Sequence, residues 1–338
     1  MQAYQIKTGQ QIAGLERVER SPAALAAHQV LVQVHAVSLN YRDLMIAEGN
    51  YSSVGETAVV PCSDGAGEVI AVGAQVTRFA VGDRVAAAFF PQWIDGAPNR
   101  QNTADALGGG VDGMLAEQVV LHEEALVAIP PHLSYVEAAA IPCAGVTAWN
   151  ALFVEGGLRA GDSVLLLGTG GVSIWALQLA KAAGLRTIIT SSSDAKLERA
   201  RALGASATIN YHTFPEWQDE VLRLTDGRGV DLVLEVGGKG TLTRSIASAG
   251  MGGTVAIIGG VSGFGGEFNP FALIGGAKRL SGIYVGSRRM FEDLNRFLSV
   301  TEIHPAVDRV FPFQQAREAY TYLKQAGHFG KVVIEVGK

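Results

Sequence analysis

Asp162 to Gly184 reads DSVLLLGTGGVSIWALQLAKAAG, and its three parts call for three different conformations. Val164 to Leu167 is a short apolar run suited to a strand buried on both faces. Gly168 to Gly171 is too rich in glycine for anything but a tight turn, and Val172 to Ala183 carries a helical pattern that Gly184 closes. A glycine turn that feeds a helix N-terminus lets backbone N–H groups approach a pyrophosphate, with the helix dipole adding partial positive charge. Gly168, Thr169, Gly170, Gly171 and Val172 are therefore the candidate phosphate contacts. The GxGxxG fingerprint would place a third glycine where this chain has Ser173, and Gly171 is an extra glycine inside it.

The next segment strengthens the reading. Arg186 to Thr190 is a β-branched run, and Ser191, Ser192 and Ser193 follow it, beginning 23 residues after Gly168, where a dinucleotide fold presents its ribose-reading residue. An NAD site favours a carboxylate there, and the strand end has none. Three hydroxyls followed by Lys196 and Arg199 can accept a 2′-phosphate, so the expected cofactor is NADP(H).

With 338 residues, 48% of them hydrophobic, the chain is long enough for two domains. A net charge of −5 without a Lys/Arg run argues against nucleic acid as a partner. No apolar stretch suggests a membrane span or a signal peptide, so a cytoplasmic location is expected. Two cysteines, Cys62 and Cys143, cannot make a disulfide framework.

Residues 1–127 read as β-rich. VLVQVHAV at Val30 to Val37 alternates with period two, and Gly67 to Val85 gives short strands broken by glycine turns. Arg42 to Ile46 and Ala104 to Leu107 are candidate short helices. Phe89 to Gly113 is a long glycine-rich connection of a kind that is usually functional or mobile, with Phe89, Phe90 and Trp93 read as packing. Helical patterning runs from Tyr135 to Ala140 and, after an interruption at Pro142, through Val146 and Leu152. Further strands are expected at Ala207 to Asn210, Val230 to Val236, Thr254 to Ile258 and Leu280 to Val285, with helices between the first of them. Six strands with alternating helices is the doubly wound count. The tail adds helices at Phe291 to Val300 and Gln314 to Gln325 and a strand at Lys331 to Val336.

VPCSDGAGEVIAVGAQVTRFAVGDRV at Val60 to Val85, the Ile141 to Leu152 segment, the turn at Gly168, LGASATINY at Leu203 to Tyr211 and HFGKVV at His328 to Val333 together resemble the medium-chain dehydrogenase/reductase superfamily. Within it the chain is most similar to the zinc-independent quinone oxidoreductase branch, many of whose members are loosely labelled zinc-containing alcohol dehydrogenases. The resemblance implies an α/β protein with a GroES-like β-rich catalytic domain at 1–127 and 286–338 and a doubly wound Rossmann NADP-binding domain at 128–285. It also implies cofactor contacts at Thr147, Gly237, Gly259, Val261, Ile283 and Val285, and a Tyr211 that stacks near the 2′-phosphate.

In the zinc enzymes of this superfamily the catalytic ion is held by a Cys in the segment resembling Ser38 to Asp43, a His-Glu pair resembling Ser63 and Asp64, and a Cys resembling Cys143. Here the first three positions hold Asn40, Ser63 and Asp64, and Phe89 to Gly113 contains no cysteines for a structural zinc. No metal is expected, and Cys143 reads as a buried small hydrophobe. Hydride delivery without a Lewis acid suits conjugate addition to an enone or enal, or reduction of a quinone, because donors can stabilise the charge that reaches the carbonyl. The resemblance gives Asn40 the role of carbonyl donor and Tyr51 that of proton donor or orienting group. Asp43 is expected to fix the local backbone, and Arg42 stands with Asn40, Tyr41 and Asp43 at the position of the first zinc ligand, with a surface charge as the alternative reading. Alternatives from other classes are a non-catalytic, crystallin-like NADPH-binding protein and an alcohol dehydrogenase acting on small alcohols or aldehydes. A homodimer joining edge strands is expected, since an apolar edge needs a partner.

Overall fold

The computed structural model describes residues 1–21, 23–51, 58–265 and 267–337. In chain order the elements are β1 (Gln2–Gln5), β2 (Glu16–Glu19), β3 (Gln29–Ser38), α1 (Tyr41–Glu48), β4 (Asp64–Val72), β5 (Arg84–Ala87), β6 (Gln118–His122), β7 (Leu126–Ala128), α2 (Tyr135–Ala138) and α3 (Val146–Trp149). There follow β8 (Ser163–Leu166), α4 (Gly171–Ala182), β9 (Arg186–Ser191), α5 (Asp194–Ala202), β10 (Ala207–Asn210), α6 (Trp217–Leu224), β11 (Val230–Glu235), α7 (Leu242–Ser248), β12 (Ala249–Ile257), α8 (Phe271–Ile274) and β13 (Arg279–Gly282). The chain closes with α9 (Arg288–Thr301), β14 (Val307–Pro312), α10 (Ala316–Lys324) and β15 (Lys331–Glu335). It divides into two compact units, Met1–Val146 with Gly286–Lys338, and Thr147–Val285. Residues 128–146 fall with the first unit, whereas the reading from sequence begins the second unit at 128.

The first unit is built on β3. Val30, Val32, Val34 and Ala36 alternate inward along it, as period two requires. One edge of β3 pairs with β4 along its length, while the other pairs first with β6 at Gln29 to Gln33 and then with β15 at Ala36 to Ser38. The seven-stranded sheet runs β14-β15-β3-β4-β5-β7, with β6 joining at β3. Because β15 reaches the carboxyl end of β3, Lys331 lies beside the start of α1 although nearly 300 residues separate them in sequence. The tail helices pack by pattern: α9 buries Phe291, Leu294, Asn295 and Leu298, at the i, i+3, i+4, i+7 spacing of one helix face.

The second unit is a six-stranded parallel sheet in the order β10-β9-β8-β11-β12-β13, the doubly wound order in which the topology reverses beside β8. Its central strands carry buried side chains on both faces, including Val164, Leu165 and Leu166 of β8 and Leu232, Val233 and Leu234 of β11. The helix α4 ends in a hydrogen-bonded cap in which Gly184 takes φ +76°, with its N–H and that of Leu185 donating back to the carbonyls of Lys181 and Ala180.

Two expectations change and two are refined. Ala104 to Leu107 forms turns and a bridge to Val111 rather than a helix. The helix break expected at Pro142 lies just ahead of it, at Ala139 and Ala140 between α2 and the next helical stretch. Pro142 sits in the first turn of a widened helical stretch, Ile141–Gly145, where its missing N–H has no intrahelical partner to lose, and a second widened stretch, Asn150–Glu155, follows α3. β13 ends at Gly282, because Val285 takes φ +54° and cannot continue an extended strand, leaving the Ile283 N–H to the Ile257 carbonyl as the last ladder contact. The long Phe89 to Gly113 connection is anchored: Leu107 N–H donates to the Phe89 carbonyl, Trp93 Nε1 to the Gly96 carbonyl, and Phe89, Phe90 and Trp93 are buried as packing. Among the described residues no helix is long and apolar enough to cross a membrane.

Candidate functional site

In the second unit the site is made mostly of backbone. β8 delivers the chain to Gly168 at φ +69°, and the Gly168 N–H donates to Thr190 Oγ1 at 3.2 Å, tying the turn to the end of β9. A Cβ placed on either Gly168 or Gly170 would meet no protein atom within 4 Å, so the turn faces open space that a side chain would fill. Gly170 caps α4 without a side-chain acceptor, which leaves the first-turn N–H groups of a 12-residue helix available to an anion. Ser173, in place of the fingerprint's third glycine, is buried and its Oγ donates to the Leu167 carbonyl at 2.7 Å, closing strand to helix by a hydrogen bond instead of by close approach. Thr169 is buried in the turn, and Thr147 is buried at the start of this unit.

The other predicted cofactor positions gather at the carboxyl ends of the same strands. Tyr211 N–H donates to the Ser191 carbonyl, joining the residue that follows β10 to the last residue of β9. Ser191 Oγ accepts from Ser193 N–H at 3.2 Å, and Ser193 Oγ caps α5 at the Lys196 N–H, so two of the three hydroxyls serve the local turn and Ser192 is exposed. Asp194, three residues past Ser191, opens α5 and holds the Asn210 amide at 2.7 Å; it is the carboxylate nearest this strand end in sequence. At the end of β11, Glu235 is fully buried and accepts from Gly237 N, Gly238 N and Thr241 Oγ1 at 2.6 to 2.9 Å, and from Ser245 Oγ. Glu235 thus shapes the Gly237 turn, a role that the sequence reading missed. That turn is sewn to the loop after β12 by Val261 N–H to the Val236 carbonyl and Ser262 N–H to the Gly237 carbonyl, which brings Gly237, Gly259 and Val261 together. Ile283 and Val285 lie buried beyond β13, and the Val285 carbonyl accepts from Asn150 Nδ2 at 2.9 Å.

In the first unit the site is made of side chains. Asn40 stands between β3 and α1, and its N–H donates to Asp43 Oδ2 at 2.7 Å, so Asp43 fixes the start of the helix. Lys331 Nζ, buried, donates to Asn40 Oδ1 at 2.6 Å and to the Leu39 carbonyl at 2.8 Å, and lies 3.8 Å from Asp64 Oδ2. Asp64 accepts from Ser63 Oγ and from the Cys143 N–H. Asn40 Nδ2 is buried and has no hydrogen-bond partner among the described residues. Burial pushes the Asp43 carboxyl up to about 6 against the pull of Arg42.

Arg42 is not a surface charge. It is buried, donates to the Leu107 carbonyl and lies 4.5 Å from the centre of the Phe89 ring and 5.5 Å from that of Tyr51. A guanidinium on apolar rings is the reason that the position tolerates a charge inside the protein. Tyr51 is half-buried against the same core. Lys331 belongs to the HFGKVV motif but sequence reasoning gave it no role; a lone lysine in a strand of valines was the available signal.

The cluster does not suit a tetrahedral zinc. Among the described residues no group of three His, Cys, Asp or Glu could hold a metal ion. The positions that carry ligands in the zinc enzymes hold Asn40, Ser63, Asp64 and Cys143, and an ammonium beside Asp64 would repel a divalent ion. The Cys143 thiol, partly exposed rather than fully buried, is pushed up to about 12 by desolvation, with the Asp64 carboxylate adding to the shift. The glycine turn does suit a dinucleotide, on the strength of its open space and uncapped helix.

Comparison with known proteins agrees with both units. A family model described as alcohol dehydrogenase GroES-like domain matches residues 26–131, and one described as zinc-binding dehydrogenase matches residues 171–300. A zinc-type alcohol dehydrogenase-like protein of Schizosaccharomyces pombe is 46% identical over 93% of each chain. A quinone oxidoreductase of Pseudomonas aeruginosa is 36% identical over 74% of this chain and 70% of its own. The crystal structure of an NAD-dependent alcohol dehydrogenase superposes with a TM-score of 0.91 at 34% identity, covering all of both chains. With the GroES-like and doubly wound folds, the glycine turn and these relatives in agreement, the chain belongs to the medium-chain dehydrogenase/reductase superfamily, a family of oxidoreductases that bind a nicotinamide dinucleotide.

Proposed function

We propose that this protein uses NADPH to reduce a quinone or an α,β-unsaturated carbonyl without zinc. The observation that carries the reading is Asn40 Nδ2, a buried amide donor with no acceptor among the described residues, set beside a lysine where the zinc enzymes place metal ligands. When bound, the nicotinamide supplies the hydride. The chain's own residues then have to receive charge on a carbonyl oxygen, and a desolvated, pre-oriented N–H donor does this at no reorganisation cost. Tyr51 is the proton donor or orienting group, and Asp43 acts through the backbone of Asn40.

NADPH rather than NADH is favoured by the end of β9, which offers Ser191 and Ser192, with Lys196 one turn into α5 and no carboxylate on the strand itself. Ser191→Asp should weaken NADPH and improve NADH, whereas Lys196→Ala should weaken NADPH alone by roughly tenfold or more, both read by fluorescence titration. Equal binding of the two cofactors by the unaltered protein would overturn the assignment. The decisive assay is NADPH oxidation with a panel of quinones, enones and enals before and after chelator treatment. Turnover that survives chelation is expected, and stoichiometric tightly held zinc would refute the metal-free reading.

The names of the relatives favour a second reading, an alcohol dehydrogenase, and steady NADP reduction by simple alcohols would select it. A homodimer through β13 is supported by that strand's pairing only with β12 among the described residues, and by the exposure of Phe264, Phe271 and Ile274 in the same unit. Light scattering at micromolar concentration should give twice the chain mass. The placement of substrate residues in the first unit and cofactor residues in the second completes the reading, which a cytoplasmic location would suit.

A further inference from the structure

Lys331 is a member of the first-unit cluster to which the preceding chemistry gives no role, and its bonds are specific. A lysine Nζ has hydrogens to give and no lone pair to offer, so the Asn40 side-chain atom 2.6 Å from it has to be the carbonyl oxygen. That contact settles which way the amide faces: with Oδ1 held by Lys331, Nδ2 is turned away from it, buried and without an acceptor among the described residues. The Asn40 backbone is held separately, its N–H on Asp43 and the preceding Leu39 N–H on the Val332 carbonyl at 2.9 Å. Lys331 is itself clamped by the Leu39 carbonyl and faces Asp64, whose two oxygens are occupied by Ser63 Oγ and Cys143 N–H. Lys331 thus holds the Asn40 amide oxygen directly, while the Asn40 backbone is held by other groups.

We propose that Lys331 is a positioning residue for carbonyl reduction: it holds the Asn40 amide with Nδ2 as the presented donor, and by bonding a positive charge to Oδ1 it strengthens that donor. An amide whose oxygen accepts from a cation is polarised toward its nitrogen, and hydrogen bonds in such chains reinforce one another. The inference rests on the reading of Asn40 as the donor to the substrate carbonyl. It adds a residue from the last strand of the chain to that machinery.

The test is a double-mutant cycle on the full-length protein with Lys331→Met, Asn40→Ala and the double variant, together with Lys331→Arg as the conservative replacement. Turnover of an enone or quinone that the unaltered protein accepts is measured at saturating NADPH, and NADPH affinity is measured separately by fluorescence. Lys331→Met should lower kcat by 10- to 100-fold with NADPH affinity within threefold of the original, Lys331→Arg should recover a large part of the loss, and the double variant should fall no further than Asn40→Ala. In parallel, the side-chain amide signals of selectively 15N-labelled asparagine should show the Asn40 NH2 pair moving in Lys331→Met while the other asparagine side chains stay in place. Additive losses in the cycle, or an Asn40 signal indifferent to Lys331→Met, would overturn the role. Should Lys331→Met fail to fold, Lys331→Gln takes its place under the same criteria, since its amide still donates but carries no charge. No turnover of any panel member by the unaltered protein would instead sink the functional reading on which the role rests, whereas turnover with an additive cycle would sink the role of Lys331 alone.

Discussion

The two candidate sites of this protein are built from opposite materials. The turn at Gly168 to Gly171 presents backbone N–H groups and empty space, and its parts are contiguous in the chain. The cluster at Asn40, Asp43, Asp64 and Lys331 presents side chains gathered from three places in the chain, each oriented by the others. A backbone site binds what fits it and is damaged by adding atoms. A side-chain site depends on charge and direction and is damaged by removing them. The same contrast governs protonation, because the backbone site has nothing to titrate, whereas Asp43 is a buried carboxyl held at about 6.

The comparison can be broken most forcefully at Gly170. Its φ of −78° suits any residue and a Cβ there touches nothing, so Gly170→Val should leave the fold intact. The added side chain occupies the space in front of the helix N-terminus, and NADPH affinity should drop by roughly three orders of magnitude, about 4 kcal/mol. Titration beside a thermal melt checks both halves; unchanged affinity would mean that the dinucleotide does not use the turn.

Asp43 carries the next largest effect. Its folded value of about 6 lies above the ordinary 3.8, so the native state binds the proton more tightly than the unfolded chain does. Stability should therefore fall as pH rises from about 4 to about 6, by up to about 3 kcal/mol. Asp43→Asn retains an oxygen to accept the Asn40 N–H but does not titrate, and should flatten that slope in denaturant melts taken across the range. An unchanged slope would show that another group causes it.

Glu123, in the same unit, sharpens the point with the opposite sign. Burial would raise its carboxyl, yet the N–H groups of Thr77 and Arg78 at 2.8 and 2.9 Å and the His28 ring hold it at about 2. Its contribution is present above the ordinary carboxyl range and is lost as pH falls through about 2. Glu123→Gln should cost about 2 kcal/mol at neutral pH by weakening bonds made to a charged acceptor, as measured by the urea midpoint. A midpoint equal to that of the parent would mean that the charge on Glu123 adds nothing to stability and that these donors do not hold its carboxyl low. Asp43 and Glu123 are both buried side chains, but Asp43 is the more deeply desolvated and faces the Asp64 carboxylate, whereas Glu123 accepts from two N–H groups and lies against the His28 ring.

The smallest effect is expected at Ser173. Ser173→Gly restores the third glycine of the dinucleotide fingerprint but removes the bond to the Leu167 carbonyl and places glycine in a helix. Stability should fall by about 1 to 2 kcal/mol, with NADPH affinity within threefold of the parent. A gain in affinity would mean that Ser173 obstructs the turn and does not merely replace a glycine in it.

Much of this molecule is determined by local pattern. The parallel sheet follows from apolar runs buried on both faces, the helix α4 from its glycine entry and its Gly184 cap, and the dinucleotide turn from glycines three residues apart at most. These features are legible because each is set by residues within a turn or a strand of one another. The first unit's long strand was legible for the same reason, in the alternation of Val30, Val32 and Val34. Tertiary structure alone decided that Arg42 lies inside on Phe89 and Tyr51, that Glu235 shapes the Gly237 turn, and that β13 stops short of Val285. It also decided the placement of Lys331, because nothing near position 331 announces that β15 pairs with the far end of β3 and so carries an ammonium to Asn40. A hydrogen bond between residues 291 positions apart depends on how strands are ordered across a sheet, and that order is set by packing of the whole unit, which no local spacing records.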